Sequence, residues 1–420
     1  MYKINKKVIT LFVAAIVTIL CVSCCGNVSK KKVKESKKVE KAYKYAFMKD
    51  GVLHLDLNEA RKHPKEVKLS DICDSLIYIP LETKKASLIK SINCIDIDGD
   101  DLFIQDGWKL LHFNRSGKFI NQIGRTGRGP GEYICVGFSL NKKEKVIYAM
   151  ANYKRRVMKF SYNGKLLSNK LKFNEHIVRP VYSDKLNSII GTDIYSLYTS
   201  KSKTYNMIKT LNVSNGVINN TKSKYFPDKY FKSDKNIRLS LLGPRPYSYK
   251  GYAYFKELGS DTIFKKESEG IRPHIILNNY KFKSAFTSEI YADLIGVDSR
   301  KWNLDEKFYS RVTSESSKYV LLLSREPYFI YDKEEKILRG IKLKDKQLLI
   351  DDIDAVCDFQ KVKVINNKYL FTKMYAEDFI DAVVSPKIGK QSKNKELLDS
   401  LVKGMTEESN PILVLARLKK

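Results

Sequence analysis

The segment from Ser91 to Gly124 restricts this chain more than any other, because it packs four strand-length runs and their turns into about 34 residues. Ile92-Asn93-Cys94-Ile95-Asp96-Ile97 alternates apolar and polar residues, the period of a strand with one covered face. Asp98-Gly99-Asp100 follows, and Asp-Gly supplies the positive-φ positions of a tight hairpin. Leu102-Phe103-Ile104 and Leu110-Leu111-His112-Phe113 form the second and third runs. Asn114-Arg115-Ser116-Gly117 is another turn, and Lys118 to Ile123 is the fourth run. This pattern is an antiparallel meander.

One such sheet has two apolar faces and cannot bury both alone, so it needs neighbours of the same kind. The sequence supplies them. Lys145 to Ala149, Arg156 to Tyr162, the turn Asn163-Gly164 and Lys165 to Phe173 repeat the pattern. Phe113…Gly117-Lys118-Phe119 is echoed by Phe160…Gly164-Lys165-Leu166, 47 positions later. Weaker echoes run over 205–217, 252–264, 319–341 and 363–374. A four-stranded unit recurring at ~40–50 residues is the period of a β-propeller. The expected fold is all-β, a six-bladed β-propeller of four-stranded antiparallel blades over residues 66–420. Six blades leave about 59 residues each, more than a bare blade, so some loops carry insertions. Asn278 to Trp302 and Ser385 to Met405 are the candidates. Leu397, Leu398, Leu401, Val402 and Met405 fall on one helical face and predict a short helix in the second. Ring closure places the two ends in one blade, so 76–81 and 411–416 are expected in one sheet, with Cys73 and Cys357 near each other.

The start of the chain speaks to compartment. Lys3, Lys6 and Lys7 precede an apolar run from Val8 to Leu20, then Cys21-Val22-Ser23-Cys24-Cys25. A basic region, a short apolar core and a small residue before a cysteine describe a lipoprotein signal over 1–23, with Cys24 as the lipid attachment site. An uncleaved anchor is the competing reading, since Val8 to Cys25 is just long enough to cross ~30 Å of hydrocarbon. Ser29 to Lys44 holds eight lysines and two glutamates, so 24–65 reads as a lysine-rich tether. The net charge of +30 would suggest nucleic acid in a cytosolic protein, but the basic residues are scattered and export argues against such a partner. Two readings stay open: a solvated surface, or one suited to acidic polysaccharide or lipid headgroups.

Of seven cysteines, Cys21 and Cys24 belong to the signal and lipid site. Cys25, Cys73, Cys94, Cys135 and Cys357 show no CxxC spacing and read as small apolar residues. His54, His63, His112, His176 and His274 form neither HxH nor HExxH. No Gly-x-Ser-x-Gly elbow is present. The expectation is no metal and no cofactor. Asp96, Asp98, Asp100 and Asp101 lack EF-hand spacing and read as a solvated hairpin turn. Asp351, Asp352 and Asp354 read as surface charge, with the lining of a pore mouth as the alternative.

Ile79-Pro80-Leu81-Glu82-Thr83, the loop from Ile123 through Gly124-Arg125-Thr126-Gly127-Arg128-Gly129-Pro130-Gly131-Glu132 to Tyr133, the unit Asp261-Thr262-Ile263-Phe264 and the closing Asn410-Pro411-Ile412-Leu413 resemble a family of six-bladed, NHL-like β-propeller lipoproteins of Bacteroides-like Gram-negative bacteria. The resemblance implies six NHL-like blades, a lipid anchor and a cell-envelope location, at the outer membrane and facing the periplasm or the surface. It implies no known activity and carries over no catalytic residues.

The glycine-rich loop has two readings. Its glycines allow a tight interblade turn, or Arg125 and Arg128 make an anion-binding rim with guanidinium forks for carboxylate or sulfate. It lacks the Gly-Lys-Ser/Thr ending of a phosphate loop. Glu132, Tyr133, Arg245 and Tyr247 complete the candidate rim, the last two on a proline-stiffened loop. The function read from the sequence is a monomeric, non-catalytic binding or scaffold module, tied to the membrane by its lipid, for a glycan (an acidic one in particular), a peptide or an envelope protein. The alternative is a propeller enzyme, a lactonase-like hydrolase or polysaccharide lyase, with its site at the central pore.

Overall fold

The computed structural model describes residues 45–129, 131–173, 177–192, 197–198, 206–222, 237–238, 245–256, 260–278, 314–323, 328–357, 359–360, 362–385, 392 and 394–420. The signal, Cys24, His176 and nearly all of the insertion expected from Asn278 lie outside the described residues.

Six antiparallel sheets follow one another along the chain. The first blade is Ile92–Asp98, Asp101–Asp106, Lys109–Asn114 and Phe119–Gln122. The second is Phe138–Asn141, Val146–Ala151, Arg156–Ser161 and Leu166–Ser168. The third is Val178–Ser183, Ser188–Thr192, Asn206–Asn212 and Ile218–Lys222. Tyr247–Tyr249, Tyr252–Lys256, Thr262–Lys266 and Ile271–Asn278 make the fourth, and Ser314–Glu315, Tyr319–Leu322, Tyr328–Asp332 and Ile337–Ile341 the fifth. The sixth combines Lys363–Ile365, Tyr369–Met374 and Ile412–Leu418 with Cys73–Pro80. The first strands of successive blades touch in a closed circle, from the first blade round to the sixth and back. This is the six-bladed ring expected from the repeat.

The core lies between blades. Ile147, Ala149, Met158 and Phe160 of the second blade pack toward Phe103 and Leu110 of the first, while Val146, Tyr148 and Met150 pack toward Tyr182 and Ile189 of the third. Val146–Ala151 is therefore buried at every position, which is why it reads as a continuous apolar run rather than an alternating one. The repeated glycine has a positional cause. Gly117 has φ 85°, and a Cβ there would lie 1.9 Å from the carbonyl oxygen of Pro80. Gly164 has φ 84° and would meet Asn121 at 2.9 Å. Each third-to-fourth turn thus rests on the outer strand of the preceding blade.

Closure follows the expected pairing: Leu76 opposes Ala416, and Pro80 opposes Ile412. Asn410 fastens the seam. Its Nδ2 donates to the carbonyls of Glu82 and Ser87, both at 2.9 Å, and its Oδ1 accepts from the Ile89 amide at 2.9 Å. Cys73 and Cys357 share the core cluster that the fifth and sixth blades and the C-terminal helices build, and both thiols are free. Burial pushes the Cys94 and Cys135 thiols up to about 11 and about 12.

Four features differ from the sequence reading. First, regular structure is present well before residue 66. Ala46–Lys49 and Val52–Asp56 form a hairpin, and its second strand pairs in parallel with Ile271–Asn278, so the fourth blade has six strands. From there the chain runs as a strap along the outer edge of the fifth blade, where Lys65 bonds Gly340 and Lys342, before entering the sixth. Second, the helix expected within 385–405 is present as Lys395–Lys403, but Leu397, expected on its packed face, points outward while Leu398 is buried. Third, a further helix, Ala376–Val384, precedes it, burying Ala376, Phe379 and Val383. Fourth, Asp351 and Asp354 are buried rather than surface charges. Asp351 accepts four backbone amides, from Ile353, Asp354, Val356 and Cys357. Asp354 accepts from Tyr78 and Asn394. They act as hubs for the closing blade because their lone pairs satisfy donors that have no strand partner. Among the described residues, no helix is long and apolar enough to cross a membrane.

Candidate functional site

Strand direction assigns each loop to a face. Where the first strands begin, the second-to-third turns and the blade-to-blade connections gather; this is the upper face. First-to-second and third-to-fourth turns gather on the lower one.

The glycine-rich loop lies on the upper face and closes on itself. Arg125–Thr126 pairs with Glu132–Tyr133. The Glu132 carboxylate accepts the Gly129 amide at 2.9 Å, and it occupies the space where a Cβ on Gly127 would stand, 2.0 Å away. Lys154 Nζ donates to the Gly129 carbonyl at 2.7 Å. Tyr133 is buried; its hydroxyl donates to the Ile123 carbonyl at 2.8 Å and its ring leans on Phe160. Glu132 and Tyr133 therefore build the loop, whereas Arg125 and Arg128 are exposed on it. The Arg128 guanidinium lies 4.9 Å above the Tyr153 ring. Tyr153 is 64% exposed, and Trp108, in the equivalent turn of the first blade, is 63% exposed. Neither aromatic was anticipated; the available signal was a large ring at the tip of the second-to-third hairpin in each of these two blades. Arg245 is exposed just before the fourth blade, but Tyr247 is buried and faces elsewhere.

Tyr247 belongs to a polar cluster between the fourth and fifth blades. Glu315, with only 2% of its side chain exposed, accepts from Lys333 Nζ at 2.6 Å, from His274 Nε2 at 2.9 Å and from the Tyr247 hydroxyl at 3.2 Å. Lys333 also donates to the Ser316 carbonyl at 2.6 Å and to the Tyr249 hydroxyl at 3.1 Å. A β-bulge aims His274: Phe264 pairs with Pro273 and Ile263 with Ile275, so His274 is the extra residue without a partner in the ladder. Burial alone would raise the Glu315 pKa, but His274 and Lys333 outweigh it and hold the carboxyl below its ordinary range. The carboxylate is thus ionised at neutral pH. Against the cluster opens a cavity of about 680 Å³, walled in part by Phe47, Met48 and Leu53 of the N-terminal hairpin. This cleft was not legible in the sequence, because its groups come from separate strands of two blades.

Three of the four aspartates about the first blade's hairpin have local side-chain partners. Asp96 pairs with Lys142 at 2.8 Å, Asp98 with Lys145 at 2.8 Å, and Asp101 with His112 at 2.9 Å. Among the described residues, no three His, Cys, Asp or Glu side chains converge as metal ligands.

Comparison with solved structures bears on the fold. A protein from Bacteroides fragilis described as exported superposes with a TM-score of 0.60 at 20% identity, covering 85% of this chain and 99% of its own. A member of the DUF4221 family from Bacteroides vulgatus aligns with a TM-score of 0.44 at 10% identity, covering 85% of this chain and 99% of its own. Among functionally curated protein sequences, none matches. The model of a domain of unknown function, DUF4934, matches residues 52–417, from the hairpin to the closing strand, and the chain belongs to that family.

Proposed function

We propose that this protein is an exported lipoprotein, anchored through Cys24 at the outer membrane, whose propeller acts as a non-catalytic binding module for acidic glycan on its upper face. The observation that carries this reading is the Arg128 guanidinium spread over the exposed ring of Tyr153, with Trp108 equally exposed on the adjoining blade's turn. Aromatic rings give flat apolar platforms. Guanidinium groups bind carboxylate and sulfate through paired hydrogen bonds. The net charge of +30 attracts polyanions to the surface. The Bacteroides fragilis protein's description as exported supports the compartment.

An array of acidic and neutral glycans tests the reading. Uronic or sulfated polysaccharides are expected to be retained and neutral ones not. Arg125→Ala with Arg128→Ala, or Trp108→Ala with Tyr153→Ala, should each weaken retention about tenfold, or about 1.4 kcal/mol. A blank array, or retention that ignores both pairs of changes, would end the proposal.

A further inference from the structure

We infer that the cleft between the fourth and fifth blades is a second, separate ligand site, and that it takes a small amphipathic organic anion. Three observations lead there, and none depends on the upper face.

The first is shape. A cavity of about 680 Å³ lies within the range of pockets that enclose small organic ligands. It sits on the lower face, since Lys250, Ser317 and Lys336 come from first-to-second and third-to-fourth turns. The hairpin forms a wall on its outer side, which suits a compact ligand better than a long polymer.

Its chemistry is the second. The walls are mostly apolar or aromatic, with Phe47, Met48, Tyr249 and Tyr331 among them. Lys250 and Lys336 add positive charge. Glu315 is the one carboxylate in the lining, and Lys333 and His274 already engage it. An arriving cation would have to compete with those bonds. An anion meets Lys250 and Lys336, neither of which has a carboxylate partner in the lining, and its apolar body meets the rings.

Preorganisation is the third. The floor is a buried charged group whose two oxygens both accept hydrogen bonds, and a β-bulge fixes His274. With Glu315 ionised, His274 carries a proton on Nε2. That leaves Nδ1 as its remaining hydrogen-bonding atom, and His274 lines the cavity.

The fluorescent aromatic sulfonate 8-anilinonaphthalene-1-sulfonate is the probe, titrated into the folded mature chain. Saturable one-to-one binding is expected, displaced by decanoate but not by decyltrimethylammonium, which has a matching tail and the opposite charge. Lys250→Glu with Lys336→Glu, both at turns, should weaken the probe at least about tenfold with the thermal midpoint unchanged. Arg128→Ala should leave it unaffected, so failure of the upper-face reading does not touch this one. Absent or non-saturable binding, equal displacement by the cation, or indifference to the lysine reversals would each overturn the inference.

Discussion

Glu315 shows how a buried charge is kept in this fold. Removing a carboxylate from water costs several kcal/mol, and the loss is offset only when its lone pairs are filled and an opposite charge is close. Lys333, His274 and Tyr247 meet both conditions. Glu315→Gln keeps the volume but leaves Lys333 without its counter-charge, and should destabilise the protein by about 3–5 kcal/mol at neutral pH. The sign with pH follows from the lowered pKa. The stabilisation is complete above the ordinary carboxylate value of about 4.3 and is lost as pH falls through the lower folded-state value. Denaturant melts of both proteins should therefore converge on acidification below the carboxylate range; a gap that does not narrow as the pH falls would contradict the assignment. None of this was visible in the sequence, where Tyr247, His274, Glu315 and Lys333 are far apart and the bulge at His274 leaves no signature beyond the preceding proline. Asp98-Gly99-Asp100 and Asn163-Gly164 were visible, because a hairpin turn is written in the residues that make it.

Among elements, the local ones were legible and the long-range ones only where they were strongly apolar. The meander of the first blade and the pairing of 76–81 with 411–416 were anticipated from run length and turn chemistry; the strands themselves run Cys73–Pro80 and Ile412–Leu418. The N-terminal hairpin was missed because its strands are four and five residues long, next to a lysine-rich stretch, and its parallel partner lies more than 200 positions away. The strap that follows depends on one small residue. At Gly340 an added Cβ would stand 2.6 Å from the Ala60 carbonyl oxygen. Gly340→Val should lift the strap off the fifth blade, at a cost of about 1–3 kcal/mol. Amide exchange at Lys65 and Lys342, which bond across this contact, should quicken while the first and second blades keep their protection. Unchanged exchange at those two amides would show that the strap is held by something else.

For the whole molecule, stability rests on the ring being shut. The final strand buries Ile412, Leu413, Val414, Leu415 and Leu418 between two neighbours. At about 1.5–3 kcal/mol for each side chain this is about 10 kcal/mol, comparable with the entire stability of an ordinary domain. A chain ending at Asn410 should therefore lack a cooperative melt and be cleaved throughout by protease; a retained sharp transition would mean that the blades stand alone. The strap adds a mechanical consequence. Tension applied at Tyr45 is borne first by the hairpin, then by the Lys65 contacts, and reaches the seam strand 73–80 only after both have peeled away. The edge of the fourth blade works as a strain relief, like the collar on a cable, so a tugged protein sheds its leading segment before its circle breaks.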